Sequence, residues 1–315
     1  TQICAAFFLM KAPHAGGFSV HFDVVPSHTG RAVRYCACTA GTYTSPKSGI
    51  PFSRASVWVS SRSRTVKQPY FHAVFTGNPG CAKTTCARLY ARALAQEGIT
   101  KHDRFAELAK EYDAVFHVNI GSGFSASHQN AVLAAEDLPN VYVIDSRNLS
   151  TGQGHVVLEA CRLAKTATDP EEMYRQLNAF APTVDASFLL DRLDYMVKGG
   201  RCSSVVALGA NLLRLKPCIE VVDNKMIVGK KYRGSYVKCM EHYVRDRLEN
   251  HDDLLYDTIF ITHTPVPQEI LDTVHRTVRE CGDFEHIYET NAGCTISCHC
   301  GEGTLGVLYL HKLKN

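Results

Sequence analysis

Three serine hydroxyls stand close together where a predicted strand gives way to a helix. The segment AVFHVNI is rich in β-branched and aromatic residues, and GSGFSASHQNAVLAAED follows it as a Gly/Ser loop that opens a helix. Ser122, Ser125 and Ser127 would place hydroxyl groups beside the unpaired N–H groups of the helix N-terminus, where an anion is stabilised. An interpretation of equal weight is that Ser125 or Ser127 only caps the helix.

A second candidate for anion binding lies within residues 68–102. The apolar run YFHAVFTG, the loop NPGCAKTT and the helix CARLYARALAQEGI follow in the order of a P-loop, whose backbone N–H groups and lysine hold phosphates. The phosphate-binding residues would be Gly77, Gly80, Lys83 and Thr84. Ala82 occupies a position where the P-loop pattern requires glycine, and no later strand supplies the acidic residues that magnesium and water need. The segment is similar to the first motif of AAA+ ATPases, and we interpret it as a degenerate fragment with vestigial nucleotide binding at most.

The chain contains 13 cysteines, an odd number with irregular spacing. Most lie inside apolar runs, so we expect a reduced, cytoplasmic protein that uses cysteine as a small apolar side chain. The densest group with metal-binding potential is Cys294, Cys298, His299 and Cys300, with His286 nearby. In a strand, Cys298 and Cys300 would share one face and His299 would lie on the other, which hinders convergence on one ion. We therefore predict no metal site.

Strands and helices that would position these side chains alternate from about residue 103 onward. The strand VYVID, like AVFHVNI before it, runs into a loop rich in Ser, Thr and Gly and then into a helix. Repeated strand–loop–helix units with short connections predict an α/β fold with a parallel sheet. Further along, DTIFITHT is predicted as a strand, PQEILDTVHRTVREC as a helix, and TISCHC and TLGVLYLH as two strands around a Gly-Glu-Gly turn.

The stretch between residues 189 and 233 carries the clearest local signals. Apolar residues repeat at helical spacing over residues 189–197, and Gly199-Gly200 is predicted to end that helix. A second apolar helix is predicted over residues 205–213. The turn residues Asp223-Asn224 then join the runs CIEVV and MIVGKKY into a β-hairpin.

Residues 1–67 lack sustained periodicity, so we leave them unassigned and expect them to be poorly ordered. The remaining predicted boundaries are 68–102 for the P-loop-like fragment, 103–185 for a first domain and 186–315 for a second. No run approaches the roughly 20 apolar residues that a membrane-spanning helix needs, and we expect no integral membrane segment. The net charge of +3 is unevenly spread, since residues 1–104 contain 13 Lys and Arg against 3 Asp and Glu. This asymmetry is typical either of a basic arm for nucleic acid or membrane or of a segment of different ancestry, and we favour the second and expect no nucleic acid partner, because the basic residues are scattered rather than clustered.

Four short motifs occur in order within the same stretch: KGGR, LG, KP and KYRG. Together with VIDS and STGQG earlier in the chain, they resemble the DegV family, whose members bind a fatty acid and carry it to partner enzymes. The resemblance covers residues 103–315. It implies a Rossmann-like domain with a parallel sheet, followed by a second α/β domain.

The resemblance implies a fatty-acid carboxylate site at the domain interface. The family pattern Ser-Ser-Gly-Leu-Ser-Gly-Thr-Tyr-Gln is matched at Ser122, Gly123 and Ser125, while Gly121 replaces its first serine. The family pattern His-x-Gly-Pro-Gly is matched in the second domain at His299, with glutamate in place of proline. The residues implied to bind the carboxylate are Ser122, Gly123, Ser125 and His299.

The resemblance further implies a carrier rather than an enzyme, with a long-chain fatty acid in an apolar tunnel of the first domain and no cofactor. The partner implied is a fatty-acid kinase of the dihydroxyacetone-kinase type, and Arg201 is the residue implied to dock it or to contact phosphate. The family's leading strand and its Thr-Ser-x-Pro-Ser loop are not found before Gly121, which predicts an open sheet edge. The alternatives are an AAA+-like P-loop nucleotide-binding protein and an inactive fusion.

Overall fold

The computed structural model describes residues 3–11, 19–26, 33–37, 104–200, 202 and 215–313 of the 315-residue chain. These residues form a mixed α/β fold built on two sheets. The strands of the first sheet are β1 (Ile3–Lys11), β2 (Ser19–Pro26), β3 (Val33–Ala37), β4 (Ala114–Asn119) and β5 (Val141–Asp145). Their order is β3-β2-β1-β4-β5, in which β4 and β5 are parallel and the other pairs are antiparallel.

The edge of β4 is covered by β1, in a register that sets Phe8 opposite Phe116. The structure thus differs from the expected open edge, and it assigns three strands within residues 1–67. The sequences of β1 and β2 explain why they form strands. ICAAFFLM in β1 is a continuous apolar run, as is usual for strands with neighbours on both sides, and SVHFDVV in β2 alternates between apolar and polar residues. The rest of residues 1–67 and the P-loop-like fragment lie outside the described residues.

Four helices accompany this sheet: α1 (Arg104–Glu111), α2 (Ser127–Ala135), α3 (Ser150–Leu163) and α4 (Pro170–Phe180). The start of α4 follows from its sequence, because Asp169 Oδ1 accepts a hydrogen bond of 3.0 Å from the Glu171 N–H and Pro170 has no N–H to satisfy. The first core, between the sheet, α3 and α4, includes Phe116, Val118, Ile144, Val156, Ala160, Leu163, Met173 and Leu177.

The second sheet has six strands: β6 (Val184–Leu189), β7 (Leu215–Val222), β8 (Lys225–Arg233), β9 (Leu254–His263), β10 (His286–Asn291) and β11 (Leu305–His311). Their order is β10-β9-β11-β6-β7-β8, with β9 and β10 parallel and the other pairs antiparallel. The described helices here are α5 (Asp194–Gly199), α6 (Tyr236–Leu248), α7 (Gln268–Cys281) and α8 (Cys294–Cys300). The predicted domain boundary between residues 185 and 186 falls inside β6.

The predicted hairpin is confirmed, because β7 and β8 pair antiparallel around Asp223-Asn224. The two turn residues have positive φ angles of 47° and 63°, as a two-residue type I′ turn requires, and Asp and Asn adopt that conformation more readily than most residues. The predicted end of α5 is also confirmed, since Gly200 is left-handed with φ 64°. The helix predicted over residues 205–213 lies outside the described part of the chain.

One predicted helix begins later than expected, and one predicted strand is a helix. The helix predicted from Leu189 is a strand up to that residue and becomes a helix only at Asp194, because Leu189 is paired on both sides within the second sheet. The segment TISCHC, predicted as a strand, belongs to helix α8. In the helix, Ile296 and Cys300 stand one turn apart and pack into the apolar cluster around Met196.

A polar cluster ties the end of α6 to β6 and β11. Arg247 Nη2 lies 2.6 and 2.7 Å from the two carboxylate oxygens of Asp185. His311 bridges two carboxylates, with Nε2 3.2 Å from Asp185 Oδ2 and Nδ1 3.0 Å from Asp253 Oδ2. The hydrogen bond to Asp185, aided by the charges of both carboxylates, raises the pKa of His311 above its ordinary value of 6.5, although burial opposes the rise.

We expect His311 to make the stability of the folded chain depend on pH. Because its pKa is raised on folding, its stabilising contribution is complete below pH 6.5 and is lost as the pH rises through the raised pKa. Urea titrations at several pH values should show the free energy of unfolding falling across that range in the wild-type chain and falling less in His311→Gln. The control is His286→Gln, at an exposed imidazole, which should keep the wild-type slope. An unchanged slope in His311→Gln would contradict the prediction.

Candidate functional site

Two adjacent loops at the carboxyl ends of β4 and β5 carry the predicted site. The loop after β4 contains Ser122, Gly123 and Ser125, and the loop after β5 leads into α3. A backbone hydrogen bond of 2.8 Å from Gly121 N to Asn148 O joins the two loops. Loops at the carboxyl ends of neighbouring parallel strands lie side by side, and ligands commonly bind there.

Ser122 is held by two residues from distant parts of the chain. Its backbone N–H donates to Asp145 Oδ1 at 3.0 Å, and its hydroxyl oxygen accepts from Asn224 Nδ2 at 2.8 Å. The same Asn224 nitrogen donates to Asp145 Oδ2 at 2.9 Å. Because Asn224 belongs to the β7–β8 turn, the second sheet contributes directly to the loop that carries Ser122.

Asp145 is a carboxylate in this cluster. Burial is the largest single effect and raises its pKa, but the hydrogen bond from the Ser122 side chain and those from the Arg147 and Ser122 N–H groups together outweigh it, and the pKa lies below the ordinary value of 3.8. A carboxylate only accepts hydrogen bonds, so the amide of Asn224 must direct its nitrogen, not its oxygen, toward Asp145. The orientation of the Asn224 amide follows from that charge.

The hairpin turn lies so close to the Ser122 loop that two loop positions have no room for a side chain. A Cβ atom at Gly123 would overlap the backbone carbonyl oxygen of Asn224, and one at Gly121 would overlap the Asn224 Oδ1 atom. Gly121 is the residue that replaces the first serine of the family pattern. Its lack of a side chain is what makes room for Asn224.

Ser125 has the contacts of a helix-capping residue. Its hydroxyl oxygen accepts from the N–H of Ser127, the first residue of α2, at 3.2 Å, and it lies 2.8 Å from the Ser127 hydroxyl. Ser125 is half-buried and Ser127 is exposed. Of the two interpretations that the sequence leaves open, these contacts favour capping, and a role for Ser125 in ligand binding stays a prediction.

His299 lies on α8, in the second part of the chain. Its ring packs against Gly199 at the end of α5, where an added Cβ atom would overlap His299 Nδ1. The structure therefore brings Ser122, Gly123 and Ser125 together on one loop and places His299 on a separate helix. Other predicted site residues lie outside the described residues: Gly77, Gly80, Lys83, Thr84 and Arg201.

An apolar cleft lies between the start of α3 and the second sheet. Its enclosed volume is about 30 Å³, far below the range of about 300–1,000 Å³ that is usual for small-molecule sites, so an acyl chain could enter only if the walls moved apart. Its apolar lining comes from Leu149, Ala186, Phe188, Val221, Ala292, Ile296, Cys300 and Leu308. The sequence-based expectation placed an apolar tunnel in the first domain, whereas the second sheet and α8 supply most of this cleft.

Side chains of α3 fasten the two sheets together beside the cleft. Thr151 Oγ1 lies 2.5 Å from Thr262 Oγ1, and His155 Nε2 lies 3.0 Å from the Leu308 carbonyl oxygen. Burial lowers the pKa of His155 to about 4, so this ring is neutral near pH 7. The walls of the cleft are thus joined by neutral hydrogen bonds rather than by ion pairs at these two points.

Sequence reasoning missed the contribution of the hairpin turn to the site. The pattern Asp-Asn between two strands predicts a turn and indicates nothing about a contact with a loop 102 positions earlier. The glycine at 121 could have served as a signal, since it departs from the family pattern where the chain needs space. Asp145 accepts the Arg147 N–H of its own loop, and it also accepts hydrogen bonds from Ser122 and Asn224.

No group of three or more His, Cys, Asp or Glu side chains in the described residues could hold a metal ion. Cys298 and Cys300, predicted to share one face of a strand, instead lie on helix α8, where Cys298 is exposed and Cys300 is buried. Within the same described ranges, no helix is both long and apolar enough to cross a membrane.

Comparisons with known proteins agree on one family. The DegV family model matches residues 100–312. A DegV domain-containing protein of Clostridium acetobutylicum is 30% identical over 213 residues, which cover 67% of this chain and 75% of the relative. The crystal structure of DegV from Bacillus subtilis, described as a fatty acid binding protein, is similar with a TM-score of 0.52 and 26% identity, over 65% of this chain and 73% of that one. A DegV family protein from Thermus thermophilus, described for its fatty acid binding, has the same fold with a TM-score of 0.58 and 23% identity, over 66% and 74%.

Proposed function

The chain belongs to the DegV family, and from this premise we propose that it binds one long-chain fatty acid and carries it chemically unchanged. The observation that carries the proposal is the family match over residues 100–312, and the apolar lining of the cleft between α3 and the second sheet supports it. Ser122 lies on the loop joined to the start of α3, and His299 lies on α8 between two residues that line the cleft. A fatty acid has the matching chemistry, a long apolar chain and one carboxylate, and its entry would require the walls of the cleft to move apart.

The cleft is the place we assign to the acyl chain. Removing each CH₂ group from water contributes roughly 0.8 kcal/mol, whereas one neutral hydrogen bond contributes about 1 kcal/mol net. Burial of the acyl chain would therefore supply most of the affinity, and hydrogen bonds to the carboxylate would mainly set its orientation. This division suits a carrier, because ligands with different chains can share one head-group site.

Ser122 and His299 are the residues we assign to the carboxylate. The Ser122 oxygen accepts a hydrogen bond from Asn224, and its own proton is shared with Asp145, so a ligand carboxylate would compete with Asp145 for that proton. His299 can donate a ring N–H from the second part of the chain. Gly123 would bring backbone close to the ligand without a side chain, and Ser125 would contribute its half-buried hydroxyl.

We further assign this carrier a partner, a fatty-acid kinase of the dihydroxyacetone-kinase type that phosphorylates the bound acid. Arg201 is the proposed contact for that kinase or its phosphate, because an arginine offers several donors in a planar arrangement that suits phosphate oxygens. In the sequence it follows Gly200, next to the Gly199 on which the His299 ring packs. The partner surface would then lie near the carboxylate end of the ligand.

Native mass spectrometry of freshly purified chain, followed by lipid extraction, tests the proposal. We expect a mass increment in the fatty-acid range at a stoichiometry of one, and its loss in the double variant Ser122→Ala/His299→Ala, because both carboxylate donors are removed. The matched control is Ser235→Ala/His286→Ala, which makes the same changes at two exposed positions. It should retain the ligand.

Two results would count against the carrier proposal. A wild-type chain that is purified empty and takes up no added oleate would show that the cleft is not a fatty-acid site. Equal ligand occupancy in the wild-type chain and in Ser122→Ala/His299→Ala would remove those two residues from the head-group site, whatever the cleft holds.

A further inference from the structure

Asn224 is the point at which the second sheet reaches into the proposed head-group site. Its side-chain nitrogen has two hydrogens, and both are used: one is donated to Ser122 Oγ at 2.8 Å and the other to Asp145 Oδ2 at 2.9 Å. Asp145 also accepts the Ser122 backbone N–H at 3.0 Å. The three residues form a closed triangle in which each is bonded to the other two.

This triangle determines what Ser122 can do. With its oxygen accepting from Asn224, the hydroxyl donates through its one proton, which is shared with Asp145 and for which a ligand carboxylate would compete. With its backbone N–H committed to Asp145, the main chain of the loop is fixed at this residue. Ser122 is thereby prepared as a donor to an anion, and the preparation requires the second sheet to be in place.

The same contact is poorly explained as a device for stability alone. The Asn224 Oδ1 atom is buried and accepts no hydrogen bond from any residue in the described ranges. A buried acceptor without a partner costs free energy that offsets part of what the two donated bonds contribute. A glycine in the same left-handed turn position would avoid that cost without strain.

We propose that Asn224 is a positioning residue for the fatty-acid head group: it holds Ser122 as a hydrogen-bond donor and makes carboxylate binding depend on contact between the two sheets. The inference rests on the proposed function, since it presumes that Ser122 binds the carboxylate. Asn224 itself acts through Ser122, and the ligand need not touch it.

The hairpin turn supplies its own matched control. Asn224→Gly keeps a residue that favours positive φ and removes the amide, and Asp223→Gly makes the same change at the neighbouring, exposed turn position. Oleate dissociation constants are measured for the wild-type chain, both glycine variants, Ser122→Ala and the double variant Ser122→Ala/Asn224→Gly. Thermal unfolding without ligand is recorded for each.

We expect Asn224→Gly to bind oleate about fivefold more weakly, the loss that corresponds to about one neutral hydrogen bond. Asp223→Gly should bind like the wild-type chain. The double variant should bind no more weakly than Ser122→Ala, because Asn224 acts only through the Ser122 hydroxyl. A residue that merely supported the fold would lower the unfolding temperature without this dependence on Ser122.

Three outcomes would overturn the inference. Equal affinities of Asn224→Gly and Asp223→Gly would show that the amide does not position Ser122. Tighter binding by Asn224→Gly would mean that Asn224 blocks the head-group site instead of preparing it. If the wild-type chain and Asp223→Gly both take up no oleate, the proposed function fails and this inference fails with it. That result is distinct from the first two outcomes, because both of them require the wild-type chain to bind oleate.

Discussion

Alanine at Gly123 is expected to weaken oleate binding at least tenfold and to destabilise the folded chain by about 2 kcal/mol, the usual cost of overpacking. The added Cβ atom would overlap the backbone carbonyl oxygen of Asn224. A backbone atom cannot rotate away as a side chain can, so the hairpin turn must lift off the loop. Lifting the turn breaks the hydrogen bonds from Asn224 to Ser122 and Asp145 together.

The measurements are oleate affinity and the free energy of unfolding in urea, and Gly154→Ala is the control. Gly154 lies inside α3, where the nearest atom to an added Cβ is the Thr151 Cβ at 3.8 Å, an ordinary contact. There the substitution should stabilise the chain by roughly 0.5–1 kcal/mol, because alanine favours helix over glycine. A Gly123→Ala chain with wild-type affinity and stability would mean that the turn does not rest on this loop in solution.

The elements that the sequence predicts correctly are those with a local signal. AVFHVNI and VYVID are strands because β-branched and aromatic residues run between loop residues, and Asp223-Asn224 forms the turn that its residue types favour. The errors at Leu189 and in TISCHC have one cause. A short apolar run can be a buried strand or one turn of a buried helix, and only its neighbours in space decide between them.

Prediction of the candidate site has the same limit, because contacts between residues far apart in the sequence cannot be read from local patterns. Hydroxyls in a strand-to-helix loop indicate an anion site, and that pattern predicts Ser122 as one of its residues. The partner that orients the Ser122 hydroxyl stands 102 positions away at the tip of a hairpin, and no local pattern reports such a contact. The replacement of the family serine by Gly121 looks like the loss of a hydroxyl in the sequence, whereas in the structure it is the space that Asn224 occupies.

Replacing Arg247 by methionine is expected to destabilise the folded chain by about 3 kcal/mol, as is usual when one partner of a buried ion pair is removed. Arg247 lies on α6 with its side chain 20% exposed, bonded to both oxygens of Asp185 and 3.4 Å from Glu220 Oε1. Without the guanidinium, the two carboxylates on β6 and β7 remain close to each other with less compensating charge. His311, bonded to the same Asp185, would offset only part of that loss.

Urea titration at pH 7 measures the loss, and two further variants identify its cause. Arg162→Ala removes an exposed pair with Glu159 on α3, with the arginine side chain 67% exposed, and should change stability by less than about 0.5 kcal/mol. The double variant Arg247→Met/Asp185→Leu should recover part of the stability lost in Arg247→Met, because it removes the buried charge that the single variant leaves unpaired. A double variant less stable than Arg247→Met would instead assign the effect to packing of the arginine stem.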